Sequence, residues 1–172
     1  MIVVWFKQFL ALVLSLFCGA RCNNIAIGQQ APLFTLTTEA GISWSLAEHK
    51  GRIVVLYFYP ADNTPQCTAQ ACSLRNEYAD FADLKVSLVG INYDSPSKHA
   101  AFKTKHHLPF PLLSDSNKSV AELYNAKRSW FLPFPQRKTI VIDQQGVIRF
   151  ILESVDVKTH TAQVLACVKQ LT

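Results

Sequence analysis

Residues 53–59 (Ile53, Val54, Val55, Leu56, Tyr57, Phe58 and Tyr59) form an unbroken apolar and aromatic run. No polar residue alternates within it, so neither face of a strand built from it can meet water. Such a run reads as a buried strand of a parallel sheet. Pro60 ends it, and Leu74, Tyr78 and Phe81 then recur at helical spacing. Between strand and helix lie Pro60, Thr64, Cys67 and Cys72. Cys67 therefore falls where a helix begins. Unpaired N–H groups and the positive end of the helix dipole stabilise an anion there. A cysteine in that setting is partly thiolate near neutral pH.

The rest of the chain alternates strand and helix patterns. Short strands are expected at 33–37 and 41–46, with Ser45 capping one helical turn and Glu48 three residues on. The cysteine-bearing helix runs to about Asp83. A third buried strand covers 86–92. Ser95 caps a helix with Pro96 in its first turn, running to about His106. A short strand at 112–114 follows, then Asp115 capping a turn and a short helix at 119–124. Residues 130–135 read as an aromatic, proline-broken loop. Strands at 139–143 and 147–152 form a hairpin around Gln144, Gln145 and Gly146. A helix over 158–171 closes the chain on Ala162, Leu165, Ala166 and Val168. This is an α/β pattern: one central mixed sheet with helices on both faces.

With 172 residues, 49% hydrophobic and 17% charged, the chain suits one globular domain. Residues 1–20 stand apart. Lys7 is followed by an apolar stretch and then by Gly19 and Ala20, which reads as a secretory signal cleaved after Ala20. The alternative is an uncleaved membrane anchor. The domain proper spans 26–172, and the expected location is periplasmic or secreted, or membrane-anchored through residues 1–20. The formal charge of +5 drops by one if Lys7 leaves with the signal. No basic cluster with interleaved aromatics is present, so nucleic acid is not an expected partner. If Cys18 leaves too, Cys22, Cys67, Cys72 and Cys167 remain. An exported thiol enzyme would need a dedicated reductant, because thiols pair in oxidising compartments.

The stretch from Tyr57 to Thr68 matches the P-x-x-x-T-x-x-C signature of peroxiredoxins through Pro60, Thr64 and Cys67. A second cysteine five residues on, Cys72, resembles the Q-type or bacterioferritin comigratory protein subfamily. Arg137 opening an apolar strand resembles the family's downstream arginine. The resemblance covers roughly Ala26 to the C-terminus. It implies a thioredoxin-like fold and thiol-dependent reduction of hydrogen peroxide and organic hydroperoxides. It implies Cys67 as peroxidatic cysteine, Cys72 as resolving cysteine, and Pro60, Thr64 and Arg137 as the pocket around Cys67. Neither cofactor nor metal is implied. Partners would be a hydroperoxide and thioredoxin or an exported thioredoxin-like reductant, with the protein a monomer or weak dimer. Gln66 stands where the subfamily usually has glycine, and the aromatic run before Arg137 and the export signal are further departures.

The chemistry accounts for these residue types. A thiolate attacks one peroxide oxygen, the O–O bond breaks, and the sulfur becomes a sulfenic acid. Charge grows on the leaving oxygen, where a fixed donor contributes about 3 kcal/mol. Arg137 stays charged and can donate to thiolate and peroxide together. The Thr64 hydroxyl can both accept and donate, and Pro60 shields the sulfur without wasting an N–H. Residues five apart on an ideal helix are about 8.7 Å apart at Cα. A disulfide tolerates about 7 Å. A bond between Cys67 and Cys72 thus requires the helix start to unwind.

Competing readings attach to several residues. Arg75 and Glu77 either orient Arg137 or form solvated helix-face contacts. Cys167 reads as a small buried hydrophobe. His99, His106 and His107 lack zinc-site spacing and read as surface residues. Trp130, Phe131 and Phe134 are core or an apolar rim favouring bulkier hydroperoxides. A thiol–disulfide oxidoreductase on the same fold and a non-catalytic metal-binding thiol module are the rival functions. The first would favour C-x-x-C spacing, and the second would pair both cysteines with a histidine.

Overall fold

The computed structural model describes residues 25–128, 131–153 and 155–172. The proposed signal or anchor at 1–20, Cys22 and Trp130 lie outside these residues. Among the described residues, seven strands form one sheet: β1 (Thr35–Thr38), β2 (Ser43–Ser45), β3 (Val54–Phe58), β4 (Ser87–Asn92), β5 (Leu112–Ser114), β6 (Lys138–Ile142) and β7 (Ile148–Leu152). Their spatial order is β2-β1-β5-β4-β3-β6-β7. β3 runs parallel to β4, and β4 to β5, while the other pairs are antiparallel. The sheet is mixed, as the sequence pattern predicts.

The apolar run 53–59 becomes the central strand because its alternate residues fill two separate cores. Ile53, Val55, Tyr57 and Tyr59 pack on one side with Leu74, Phe81, Phe102 and Val164. Val54, Leu56 and Phe58 pack on the other with Phe34, Val120, Tyr124 and Ile140. The first side carries α1 (Pro65–Asn76), α2 (Tyr78–Asp83), α3 (Pro96–His106) and α5 (His160–Lys169). The second carries α4 (Ser119–Leu123) and a 3-10 turn over Leu46–His49. Gly90 on β4 faces Tyr57 so closely that a Cβ would lie 2.7 Å from the tyrosine ring, so glycine is needed there.

Local signals act largely as expected. Ser95 accepts from the Lys98 amide ahead of Pro96. Asp115 receives the amides of Val120 and Ala121 and so caps α4. Gly146 closes the β6–β7 hairpin at φ 81°. Four details depart from the pattern. The cysteine helix breaks at Glu77 and restarts as α2, because the backbone there leaves helical ψ. Ser45 precedes its helical turn without a side-chain bond to it. Ala162 and Ala166 are exposed on α5, where Val164 joins Leu165 and Val168 in facing the sheet. His160 and Thr161, polar in sequence, are buried at the same helix's start.

Candidate active site

β3 delivers the chain to Pro60, and a loop carries it to the N-terminus of α1. Asp62 pins that loop. Its carboxylate accepts from the Tyr59 hydroxyl at 2.7 Å and from the Asn92 amide at 3.1 Å. Its second oxygen meets His99 Nδ1 at 2.8 Å, and its backbone N–H donates to Asp94 at 2.8 Å. His99 is fully buried. The surface reading of His99 is therefore wrong: α3 turns that face inward, and Asp62 supplies the polar partner a buried imidazole needs. His106 is half-buried and reaches the Cys72 sulfur at 4.0 Å, while His107 is exposed.

Thr64 caps α1, its hydroxyl oxygen accepting from the Cys67 amide at 3.4 Å. That leaves the hydroxyl proton free to donate. Pro65 begins the helix, where its missing N–H costs nothing. Cys67 sits in the first turn and is 1% exposed. Cys72 lies on the same unbroken helix and is half-buried, and both thiols are free. Pro60, half-buried, stands at the strand end as expected.

Arg137 immediately precedes β6, the strand paired antiparallel with β3. That pairing carries it to Cys67, with Nη2 donating to the sulfur at 3.2 Å. Its Nη1 donates to Gln70 Oε1 at 2.6 Å. Arg75 and Glu77, the candidate orienting groups in the sequence, do not hold Arg137. Arg75 holds the His106 carbonyl and Asn76, and Glu77 is exposed. Gln70 lies one turn after Cys67 on the inward face and is buried, which places it against the guanidinium. Gln70 bonds in turn to His160, and His160 to Thr139. No local sequence signal joins Gln70 to a histidine 90 positions away.

A cleft opens beside Arg137, flanked by Pro65, Gln66, Ala69, Val155 and Val157. Its apolar wall comes from the helix start and the β7–α5 loop. Phe131, read from sequence as rim or core, is 68% exposed, and Phe134 is half-buried beside Arg128. Cys167 is half-buried against the first core, and burial pushes its thiol up.

The arrangement offers a buried sulfur at a capped helix start, a fixed cation upon it and a second thiol one turn and a half away. That is a site for oxidising a thiol with a small electrophile. The chain matches the AhpC/TSA family over residues 27–151. It is 41% identical to peroxiredoxin bcp of Coxiella burnetii, over 83% of this chain and 97% of that one. It is 42% identical to the chloroplastic peroxiredoxin Q of Oryza sativa subsp. japonica over 76% of this chain, and spans 60% of that relative's length. In structure it resembles peroxidoxin BcpB of Mycobacterium tuberculosis, with TM-score 0.80 and 31% identity over 87% of this chain and 99% of that one. With a thioredoxin-like sheet and helices around that site, the chain belongs to the AhpC/TSA family and is a thiol-dependent peroxidase of the peroxiredoxin Bcp/Q type.

Proposed function

We propose that Cys67 is the peroxidatic cysteine and Cys72 the resolving one. The observation that carries this is the contact of Arg137 Nη2 with the Cys67 sulfur at 3.2 Å, within a capped helix start. The Cys67 thiolate attacks one oxygen of a hydroperoxide. An S–O bond forms and the O–O bond breaks. The leaving oxygen departs with the electron pair and takes a proton, as water or an alcohol. The sulfur, oxidised by two electrons, becomes a sulfenic acid. Arg137 holds the thiolate before attack and the growing oxygen charge during it. The Thr64 hydroxyl donates its free proton to the same oxygens, and Pro60 screens the sulfur from water.

In the second step the Cys72 sulfur attacks the Cys67 sulfenic sulfur. The S–O bond breaks, the oxygen leaves as water, and a disulfide remains. An external dithiol then reduces that disulfide and is itself oxidised. One chain holds both cysteines, so a monomer can complete the cycle. The same reading assigns residues 1–20 to export and the reductant to an exported thioredoxin-like protein. Its support is the apolar stretch ending in Gly19 and Ala20.

Stopped-flow mixing of reduced protein with one equivalent of hydrogen peroxide tests the two roles. Wild type should lose peroxide fast and form a Cys67–Cys72 disulfide by mass spectrometry. Cys67→Ser should be inert, and Cys72→Ser should react once and stop at sulfenic acid or a higher oxide. A Cys67→Ser protein that still consumes peroxide rapidly would overturn the assignment. N-terminal sequencing of protein recovered from cells tests export, with Arg21 expected as the first residue.

A further inference from the structure

Behind Arg137 a line of polar side chains crosses the first core. Gln70 is 1% exposed, while His160 and Thr139 are fully buried. Arg137 Nη1 donates to Gln70 Oε1 at 2.6 Å. Gln70 Nε2 lies 3.1 Å from His160 Nδ1, and His160 Nε2 lies 2.8 Å from Thr139 Oγ1. Two independent ties hold this line in place. Thr139 is the second residue of β6, two after Arg137, and Thr161 next to His160 bonds Ser73 of α1 at 2.7 Å.

The direction of every bond follows from donor chemistry. A guanidinium has donors only, so the Gln70 oxygen must face Arg137. The Gln70 amide nitrogen then faces His160, and an amide NH₂ only donates. His160 Nδ1 must therefore accept, and the ring proton must sit on Nε2 and be given to Thr139. Burial, aided by the Arg137 charge, holds the His160 pKa down at about 4, so the neutral ring that this scheme needs is the one present at neutral pH.

We propose that His160 is a positioning residue for the peroxide reaction: its Nδ1 acceptor locks the Gln70 amide with the oxygen toward Arg137, and so holds the guanidinium on the Cys67 sulfur. Without an acceptor at that point the buried Gln70 NH₂ has no partner, and the cost of leaving it unpaired pulls the side chain away from the geometry in which its oxygen holds Arg137. The inference rests on the reading that Arg137 acts on Cys67.

Two measurements test it. Nitrogen-15 NMR of the reduced protein reads the ring tautomer directly. Wild type should carry the proton on Nε2. Gln70→Glu, which presents a carboxylate oxygen to the ring, should move it to Nδ1. A wild-type proton on Nδ1 would overturn the proposal without any variant having to fold. Stopped-flow oxidation by hydrogen peroxide supplies the second readout, with thermal unfolding checked in parallel. His160→Leu should slow Cys67 oxidation about tenfold. His160→Asn should recover most of that rate, because its amide oxygen can accept from Gln70 where Nδ1 did. A folded His160→Leu protein with the wild-type rate would sink the proposal. Arg137→Ala in the same series separates the two ideas. Loss of rate in Arg137→Ala alone removes only the role of His160, while no loss in either variant removes the role of Arg137 as well.

Discussion

Arg137 Nη2 stands 3.2 Å from the Cys67 sulfur although the two residues are 70 positions apart. The antiparallel pairing of β3 with β6 brings them together, placing the end of one strand beside the beginning of the other. Lys138 pairs with Phe58 at the edge of that ladder, so the residue just before it projects toward the helix start.

Removal of the guanidinium should therefore act on the first chemical step. Arg137→Ala is expected to lower the rate of Cys67 oxidation by 10²–10³-fold, roughly the loss seen when one fixed oxyanion donor is deleted. Arg137→Lys should recover only part of it, since one ammonium cannot reach both sulfur and Gln70 in fixed geometry. Stopped-flow fluorescence with hydrogen peroxide measures this, and a rate unchanged in Arg137→Ala contradicts it.

Cys67 and Cys72 lie on one unbroken helix, and an ideal helix keeps residues five apart about 8.7 Å apart at Cα. Disulfide formation must then melt the helix start. Ala69 is an exposed residue between the two cysteines. Ala69→Gly costs helix stability about 1 kcal/mol, so it should speed disulfide formation up to about fivefold while changing the first step little. Quench-flow trapping of free thiols would follow the second step. A slower disulfide step in this variant argues against unwinding.

Asp62 receives bonds from Tyr59, Asn92 and His99, all buried. Asp62→Ala strips three buried groups of their acceptor and should cost about 3 kcal/mol of stability. Asp62→Asn should cost less, because one amide oxygen remains. Urea unfolding monitors both. Equal stability of Asp62→Ala and wild type would mean the loop is held by other contacts.

His160 predicts an acid-sensitive fold. Burial first, and then the Arg137 charge, hold its pKa at about 4 against 6.5 for an ordinary histidine. Below pH 6.5 the unfolded chain takes up a proton that the native protein refuses. The contribution to stability is therefore complete above pH 6.5 and declines as pH falls toward 4, by about 3 kcal/mol across the interval. Gln70 and Thr139, its hydrogen-bond partners, do not titrate. Urea midpoints between pH 7 and pH 4 should fall less steeply in His160→Asn than in wild type, and identical slopes would refute this assignment.

Much of the fold can be read directly along the chain. The 53–59 run, the Ser95–Pro96 start and the Asp115 cap are local features, and each acts through neighbours within a few residues. The placement of Thr64 and Cys67 is local too, because a helix N-terminus is defined by the residues that begin it. The break at Glu77 was not legible. Leu74, Tyr78 and Phe81 all face the first core and hold one periodic stripe across the interruption.

The reactive thiol, its cap and the sheet that carries them follow from the residue order, since hydrophobic period and capping act over short distances. The polar line behind Arg137 and the burial of His99 arise only from long-range packing. Glutamine and histidine carry no period and no fixed spacing that joins α1 to α5 or the active-site loop to α3. Their partners are chosen by which faces the packing turns inward, because a polar group removed from water must find a bond wherever the fold leaves one.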